Sequence, residues 1–197
     1  MNDSTIAYYD EHAERFVEET VNADLSALYR PFQEHIPVGG IILDAGCGSG
    51  RDSRYFLERG YRVEPFDASG EMCRLASKVL GQTVRQKRFE DVDYVAVFDG
   101  VWASASLLHV PRSLIDDVLA KLYRALKPAG MMFASFKYRN EEWVNNGRFF
   151  NGYDEKSFRE LLNRHPVICH SMWISEDVRP ERQHEKWLNV LLHHRRT

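Results

Sequence analysis

Along the chain, continuous apolar runs of strand length take turns with apolar stripes at helical spacing. Residues 41–43 form such a run, which closes on Asp44 and meets glycines at 46, 48 and 50. The following residues, 51–60, carry Tyr55, Phe56 and Leu57 as apolar members that suit a helix, so the unit reads as strand, tight turn and helix. A second strand is expected over 61–66, ending at Asp67, and a helix over 70–80 with Met72, Leu75, Ala76 and Val79 as its stripe. Strand patterns recur at 83–88, weakly, and at 98–103, strongly. Helix 112–126 should stop at Lys127-Pro128-Ala129-Gly130, with a strand over 131–136 beyond it. A polar loop is expected up to Arg148-Phe149-Phe150, then a helix over 154–164 and strands over 167–174 and 187–192 joined by a hairpin loop.

Two helices precede the first strand. Residues 4–17 place Ile6, Tyr9, Ala13, Phe16 and Val17 on one face, with Ser4 or Thr5 as cap, and residues 23–35 run up to Pro37 and Gly39-Gly40. Strands alternating with helices predict an α/β fold. No linker, repeat or low-complexity tract interrupts the pattern. A single domain over 1–197 is therefore expected, with 1–38 as a helical cover and 39–197 as the core.

At 197 residues the chain has the length to bury a core, and 44% hydrophobic with 28% charged residues is a globular composition. The net charge of -3 gives no global attraction to phosphate, so no nucleic-acid partner is expected. The basic cluster at His193, His194, Arg195 and Arg196 reads as a solvated tail. Cys47, Cys73 and Cys169 are odd in number and lack metal spacing, which predicts a reducing, cytoplasmic setting and no zinc. The N-terminus lacks a signal-peptide pattern and no segment approaches a membrane span.

The glycine turn carries the chemistry. Positive φ and a missing Cβ at Gly46, Gly48 and Gly50, with Cys47 between, let a ligand approach the backbone. A dinucleotide fingerprint would need a third glycine where Arg51 begins the helix's charged start, and Asp44 would repel a pyrophosphate. The same carboxylate could accept hydrogen bonds from a cationic ligand. Asp67, about 20 residues beyond the turn and followed by Ala68, suits the two hydroxyls of a ribose. Ala103 and Ser104 end a buried strand at the edge where open α/β sheets bind ligands, and His109 follows in the same loop as a candidate base or acceptor-orienting group. Tyr138, Arg139 and Arg148 lie after the next strand, where cations beside aromatics suit an anionic acceptor; a solvated loop is the plainer reading. Arg179 and Arg182 sit in the last hairpin loop, either over that same edge or as surface braces to Glu176, Asp177 or Glu185.

Residues 44–50 resemble the acid-x-Gly-x-Gly-x-Gly signature of class I S-adenosylmethionine-dependent methyltransferases, and the likeness extends from Tyr8 to Leu192. It implies a doubly wound, seven-stranded, mostly parallel sheet with an antiparallel last strand, the Rossmann-like methyltransferase fold. By the same resemblance Tyr8, Tyr9 and Arg15 belong to a lid helix that closes over the cofactor, and Phe89 with Glu90 to the corner that cradles adenine. Asp177-Val178-Arg179-Pro180 with Arg182, Glu185 and Trp187-Leu188-Asn189 is similar to the ending of a bacterial subgroup near the tellurite-resistance and ubiquinone-type methyltransferases. The activity it implies is methyl transfer from S-adenosylmethionine. A small-molecule acceptor is expected, because the chain has neither the Asn/Asp-Pro-Pro-Tyr/Phe motif of exocyclic amine methylation nor the Pro-Cys nucleophile of cytosine C5 enzymes. RNA or protein methylation and a non-catalytic cofactor-binding module are the alternatives.

Overall fold

A computed structural model describes residues 2–194. The helices are α1 (Asp3–Glu11), α2 (Ala13–Thr20), α3 (Ser26–Gln33), α4 (Arg51–Glu58), α5 (Gly70–Leu80), α6 (Arg112–Ala125) and α7 (Glu155–Leu162). The strands are β1 (Ile41–Ala45), β2 (Arg62–Asp67), β3 (Arg85–Gln86), β4 (Phe98–Ala103), β5 (Leu126–Lys137), β6 (Glu142–Asn145), β7 (Arg148–Asn151), β8 (Val167–Glu176) and β9 (Lys186–His194). Seven of them pair in the order β3-β2-β1-β4-β5-β9-β8. The first four pairings are parallel, and β9 runs antiparallel to both β5 and β8.

Both faces of this sheet are buried, so its central strands are apolar without alternation. Side chains still divide with period two. Ile42, Trp102, Phe133 and Leu191 join Phe32 of α3 and Phe56 of α4 on one face, where the Trp102 and Phe133 rings stack 4.0 Å apart. Leu43, Val101, Ala103, Met132 and Val190 join Leu119 and Leu122 of α6 and Phe158 of α7 on the other. The ligand-facing edge lies where β1, β2 and β4 end.

Several elements differ from the sequence expectation. The first helix is two, because the His12 ring nitrogen and backbone N–H both reach the Tyr8 carbonyl and end α1 there. Its cap is Asn2, whose side chain accepts from the Thr5 amide, leaving the Thr5 hydroxyl to accept from the amide of Phe149. Lys127 to Gly130 do not break the chain but lie within β5, which shifts register against β4 between Phe98 and Gly100 while Lys127 pairs with Asp99 at 2.9 Å. The expected polar loop is the β6–β7 hairpin. His193 and His194 complete β9 instead of starting a tail; Arg195 and Arg196 lie outside the described residues. Among the described residues no helix is long and apolar enough to cross a membrane.

Candidate functional site

A cavity of about 680 Å³ opens at the C-terminal edge of β1, β2 and β4 and runs on beneath the β8–β9 hairpin. Its floor is the turn after β1. The amides of Gly46 and Cys47 both donate to the Phe66 carbonyl, at 3.0 and 2.9 Å, and the Gly48 amide donates to Asp67 Oδ2 at 2.9 Å. Gly46 needs its missing side chain: at φ +81° a Cβ would sit 2.6 Å from Ser106 Cβ. Ser106 in turn donates to the Ala45 carbonyl at 2.7 Å, which locks the loop after β4 onto the turn. Ala105 beside it holds φ +50°, a strained value for alanine, while its amide donates to Ser135 Oγ.

Asp67 lines this space with both oxygens oriented, Oδ1 accepting from the Ser69 amide at 2.9 Å. Burial raises its pKa against the pull of the Ser69 and Gly48 amides. The cover helices close the floor from above. Asp10 accepts from Ser69 Oγ at 2.6 Å, Thr20 donates to Ser49 Oγ at 3.2 Å, and Phe16 stands where a Cβ on Gly48 would come within 3.5 Å of it.

Tyr9 and His109 meet in the same lining. His109 Nδ1 lies 2.7 Å from the Phe149 carbonyl and Nε2 lies 2.9 Å from the Tyr9 hydroxyl. A carbonyl only accepts, so Nδ1 carries the proton and Nε2 accepts from the Tyr9 O–H. Burial, reinforced by the Arg148 charge, pushes the His109 pKa down to about 4 and keeps the ring neutral. Burial likewise raises the phenol of Tyr9, against the opposing charge of Arg148.

Of the residues singled out in the sequence, Tyr9, Gly46, Cys47, Gly48, Asp67, Ser104 and His109 line the cavity, as do Tyr138, Arg139, Arg148, Arg179 and Arg182. The others stand apart from it. Asp44 is turned into the interior, where it accepts from Ser53 Oγ at 2.6 Å; burial and the nearby Asp52 push its pKa up to about 8. That carboxyl is not in the cavity's lining. Gly50 caps α4, and the space left by its Cβ is taken by Ala76 and Leu80 of α5. Arg15 is exposed and pairs with Glu19 one turn on. Tyr8 lies outside the lining, stacked on His12 with ring centroids 4.2 Å apart. Ala68, Phe89 and Ala103 are packed in the interior, Phe89 edge-on to Phe66, and Glu90 is off the lining with its carbonyl accepting from Lys121. Arg179 forks onto Asp177 at 2.8 and 2.7 Å, the bracing arrangement, although it also faces the cavity.

Asp52 escaped the sequence reading. Buried beside the turn, it accepts from Tyr29 Oη at 2.6 Å, from Arg51 at 2.6 and 3.0 Å and from Trp102 Nε1 at 2.8 Å. Burial would raise its pKa, but the Arg51 charge and these donors outweigh it and hold the carboxylate ionised. Of two acids near the glycines, Asp52 keeps the charge.

Residues 42–130 match a family described as a methyltransferase domain. Over the whole chain, a 1,6-didemethyltoxoflavin-N1-methyltransferase from Burkholderia thailandensis, solved with 1,6-didemethyltoxoflavin and S-adenosylhomocysteine, superimposes with a TM-score of 0.81 at 24% identity, covering 97% of this chain and 87% of that one. Over residues 42–130 the chain is thus similar to a methyltransferase domain, and over nearly its whole length it shares the fold of that neighbour. Curated relatives of the chain include a malonyl-[acyl-carrier protein] O-methyltransferase from Salmonella typhimurium, 34% identical over 95 residues. A 2-methyl-6-phytyl-1,4-hydroquinone methyltransferase from Synechocystis is 26% identical over 153 residues. These alignments take in 46% and 73% of this chain but 36% and 46% of the two relatives, so the chain matches about a third to a half of their length.

Proposed function

We propose that this chain transfers the methyl group of S-adenosylmethionine to a small molecule bound beside Tyr9 and His109. The observation that carries the reading is one cavity whose lining joins Gly46, Gly48 and the Asp67 carboxylate to a neutral Tyr9–His109 pair.

The floor suits the cofactor on its own terms. Gly46 and Gly48 line the cavity without side chains of their own, and Asp67 has lone pairs beyond those its two amides occupy, as a pair of ribose hydroxyls requires. Asp67, Gly46, Cys47, Gly48 and Ser104 would hold it. When bound, S-adenosylmethionine supplies an electrophilic methyl group on a cationic sulfur.

The remaining work falls to the protein, and positioning is the largest part of it. Where the acceptor carries a proton, the Tyr9 oxygen lies in the cavity wall to receive it as its own proton passes to His109 Nε2. The Phe149 carbonyl keeps Nδ1 protonated throughout. The three relatives support a small or carrier-bound acceptor in general. Their names join malonyl-[acyl-carrier protein], 2-methyl-6-phytyl-1,4-hydroquinone and 1,6-didemethyltoxoflavin, so likeness to them alone fixes no acceptor.

Calorimetric titration with S-adenosylhomocysteine and with NAD, followed by a methyl-transfer screen over carboxylic acids, phenols and nitrogen heterocycles, tests the reading. Binding of the former without the latter, and turnover of at least one acceptor class, is the expected result. NAD binding without S-adenosylhomocysteine binding would refute it.

A further inference from the structure

We propose that Arg148 anchors an anionic group, a carboxylate or a phosphate, carried by the methyl acceptor; this rests on the methyltransferase reading of the same cavity. Arg148 opens β7 directly after the turn of the β6–β7 hairpin, where Asn146 and Gly147 both take positive φ, 49° and 76°. That two-residue turn is rigid and fixes where the strand begins. The guanidinium is then clamped between rings, with Cζ 4.6 Å from the Tyr8 centroid and 5.2 Å from that of Phe150. Aromatic faces hold a cation in place without neutralising it.

Its neighbours are treated differently. Arg139 pairs with Glu141, Arg179 with Asp177, and Lys137 with both Asp177 and Glu185. Among the described residues no carboxylate pairs with Arg148, and its buried Nε has no hydrogen-bond partner. Besides Tyr8, the titrating groups that face it are Tyr9, to which it donates a hydrogen bond, and His109, and both are neutral. A partly buried charge without a counter-ion is costly, and an arriving oxyanion would recover that cost through the forked N–H groups that match carboxylate and phosphate alike. Phe150 and Trp143, stacked with centroids 5.1 Å apart along the same wall, suit the apolar body that carries the anion.

The test uses the full chain saturated with S-adenosylhomocysteine and titrated separately with benzoate and inorganic phosphate. At least one probe should bind, and the tighter of the two names the class. Arg148→Gln should weaken that binding by about tenfold or more, the loss of one charge-assisted contact, with S-adenosylhomocysteine affinity retained; Arg148→Lys should fall between. A second measurement needs no variant: bound probe should protect Arg148 of the wild type from phenylglyoxal, read by mass spectrometry. Cofactor-product binding without binding of either anion, equal probe affinity in Arg148→Gln, or unprotected Arg148 would overturn the proposal and leave the methyltransferase reading standing. Failure of the wild type to bind S-adenosylhomocysteine would instead overturn the reading beneath it.

Discussion

Replacing His109 by Asn removes a titrating ring but keeps an amide able to donate to the Phe149 carbonyl. In the unfolded chain a histidine titrates near 6.5, whereas burial holds His109 at about 4. Between those values the unfolded chain binds a proton that the fold refuses, so stability increases with pH there. The contribution is complete above the unfolded value and is lost as pH falls toward the folded one. At about 1.4 kcal/mol per pH unit the whole gap is worth roughly 3 kcal/mol, of which about 2 kcal/mol should be gone by about pH 5. Asp44 pulls the other way. Its carboxyl is raised to about 8, so its contribution is present below the ordinary carboxylate range and is lost as pH rises through about 8. The absolute stability curve mixes the two. Subtracting the His109→Asn curve from the wild-type curve isolates the histidine, because Asp44 is common to both. Urea unfolding at about pH 5 and about pH 7.5 should show the wild type's advantage over the variant shrinking by about 2 kcal/mol at the lower pH. An advantage that does not change with pH would refute the claim that His109 is buried and neutral against Tyr9.

Tyr9→Phe leaves His109 Nε2 buried without a donor and should cost about 1–3 kcal/mol; a double-mutant cycle with His109→Asn should show coupling, and strict additivity would separate the two residues. Asp67→Asn should weaken S-adenosylhomocysteine binding by about 1.5–3 kcal/mol in calorimetry, while the amide oxygen still accepts one of the two backbone N–H groups; wild-type affinity would remove Asp67 from the cofactor's site. Gly46→Ala combines a left-handed backbone with a Cβ 2.6 Å from Ser106, for a cost of about 2–5 kcal/mol; a thermal midpoint near wild type would contradict the packing of that turn.

Elements whose cause is local could be read from the sequence. Helix α5 has its own cap, Ser69 accepting from the Met72 amide, and its own stripe in Met72, Cys73 and Ala76, so its bounds match the pattern. Strand β4, with Val101, Trp102 and Ala103 as its apolar run, has the bounds expected from the sequence. Elements whose cause is tertiary could not. Pro128 and Gly130 are breaker residues, yet Leu126 and Met131 on either side of them pair with Phe98 and Gly100 of β4, and Lys127 bridges to Asp99. The β6–β7 hairpin did carry a signal, since Asn146-Gly147 is a strong two-residue turn pair, but the flanks Glu142 to Asn145 lack the alternation that would have supported it. Asp44 and Asp52 are both acids beside the glycines; the Arg51 charge that chiefly keeps Asp52 ionised is its sequence neighbour, but the supporting donors Tyr29 and Trp102 come from 23 and 50 residues away.

The lining of the cavity comes from different parts of the chain. The family match over 42–130 takes in Gly46, Gly48, Asp67 and His109 but stops before β6, β7, β8 and β9. Arg139, Trp143, Arg148, Phe150, Arg179 and Arg182, which line it too, all fall outside the match, and so does Tyr9 in α1. On the proposed reading, the matched segment supplies the cofactor's floor and His109, while α1 and the two hairpins supply the rest of the acceptor's surroundings. Those parts are tied directly to one another: the Phe149 amide donates to Thr5 of α1, and the Phe149 carbonyl accepts from His109, whose other nitrogen meets Tyr9. A single residue of β7 thus fixes both the cover helix and the proton-bearing pair. On that reading, changes in the β6–β7 hairpin would alter which acceptor fits without disturbing the hydrogen bonds around Asp67.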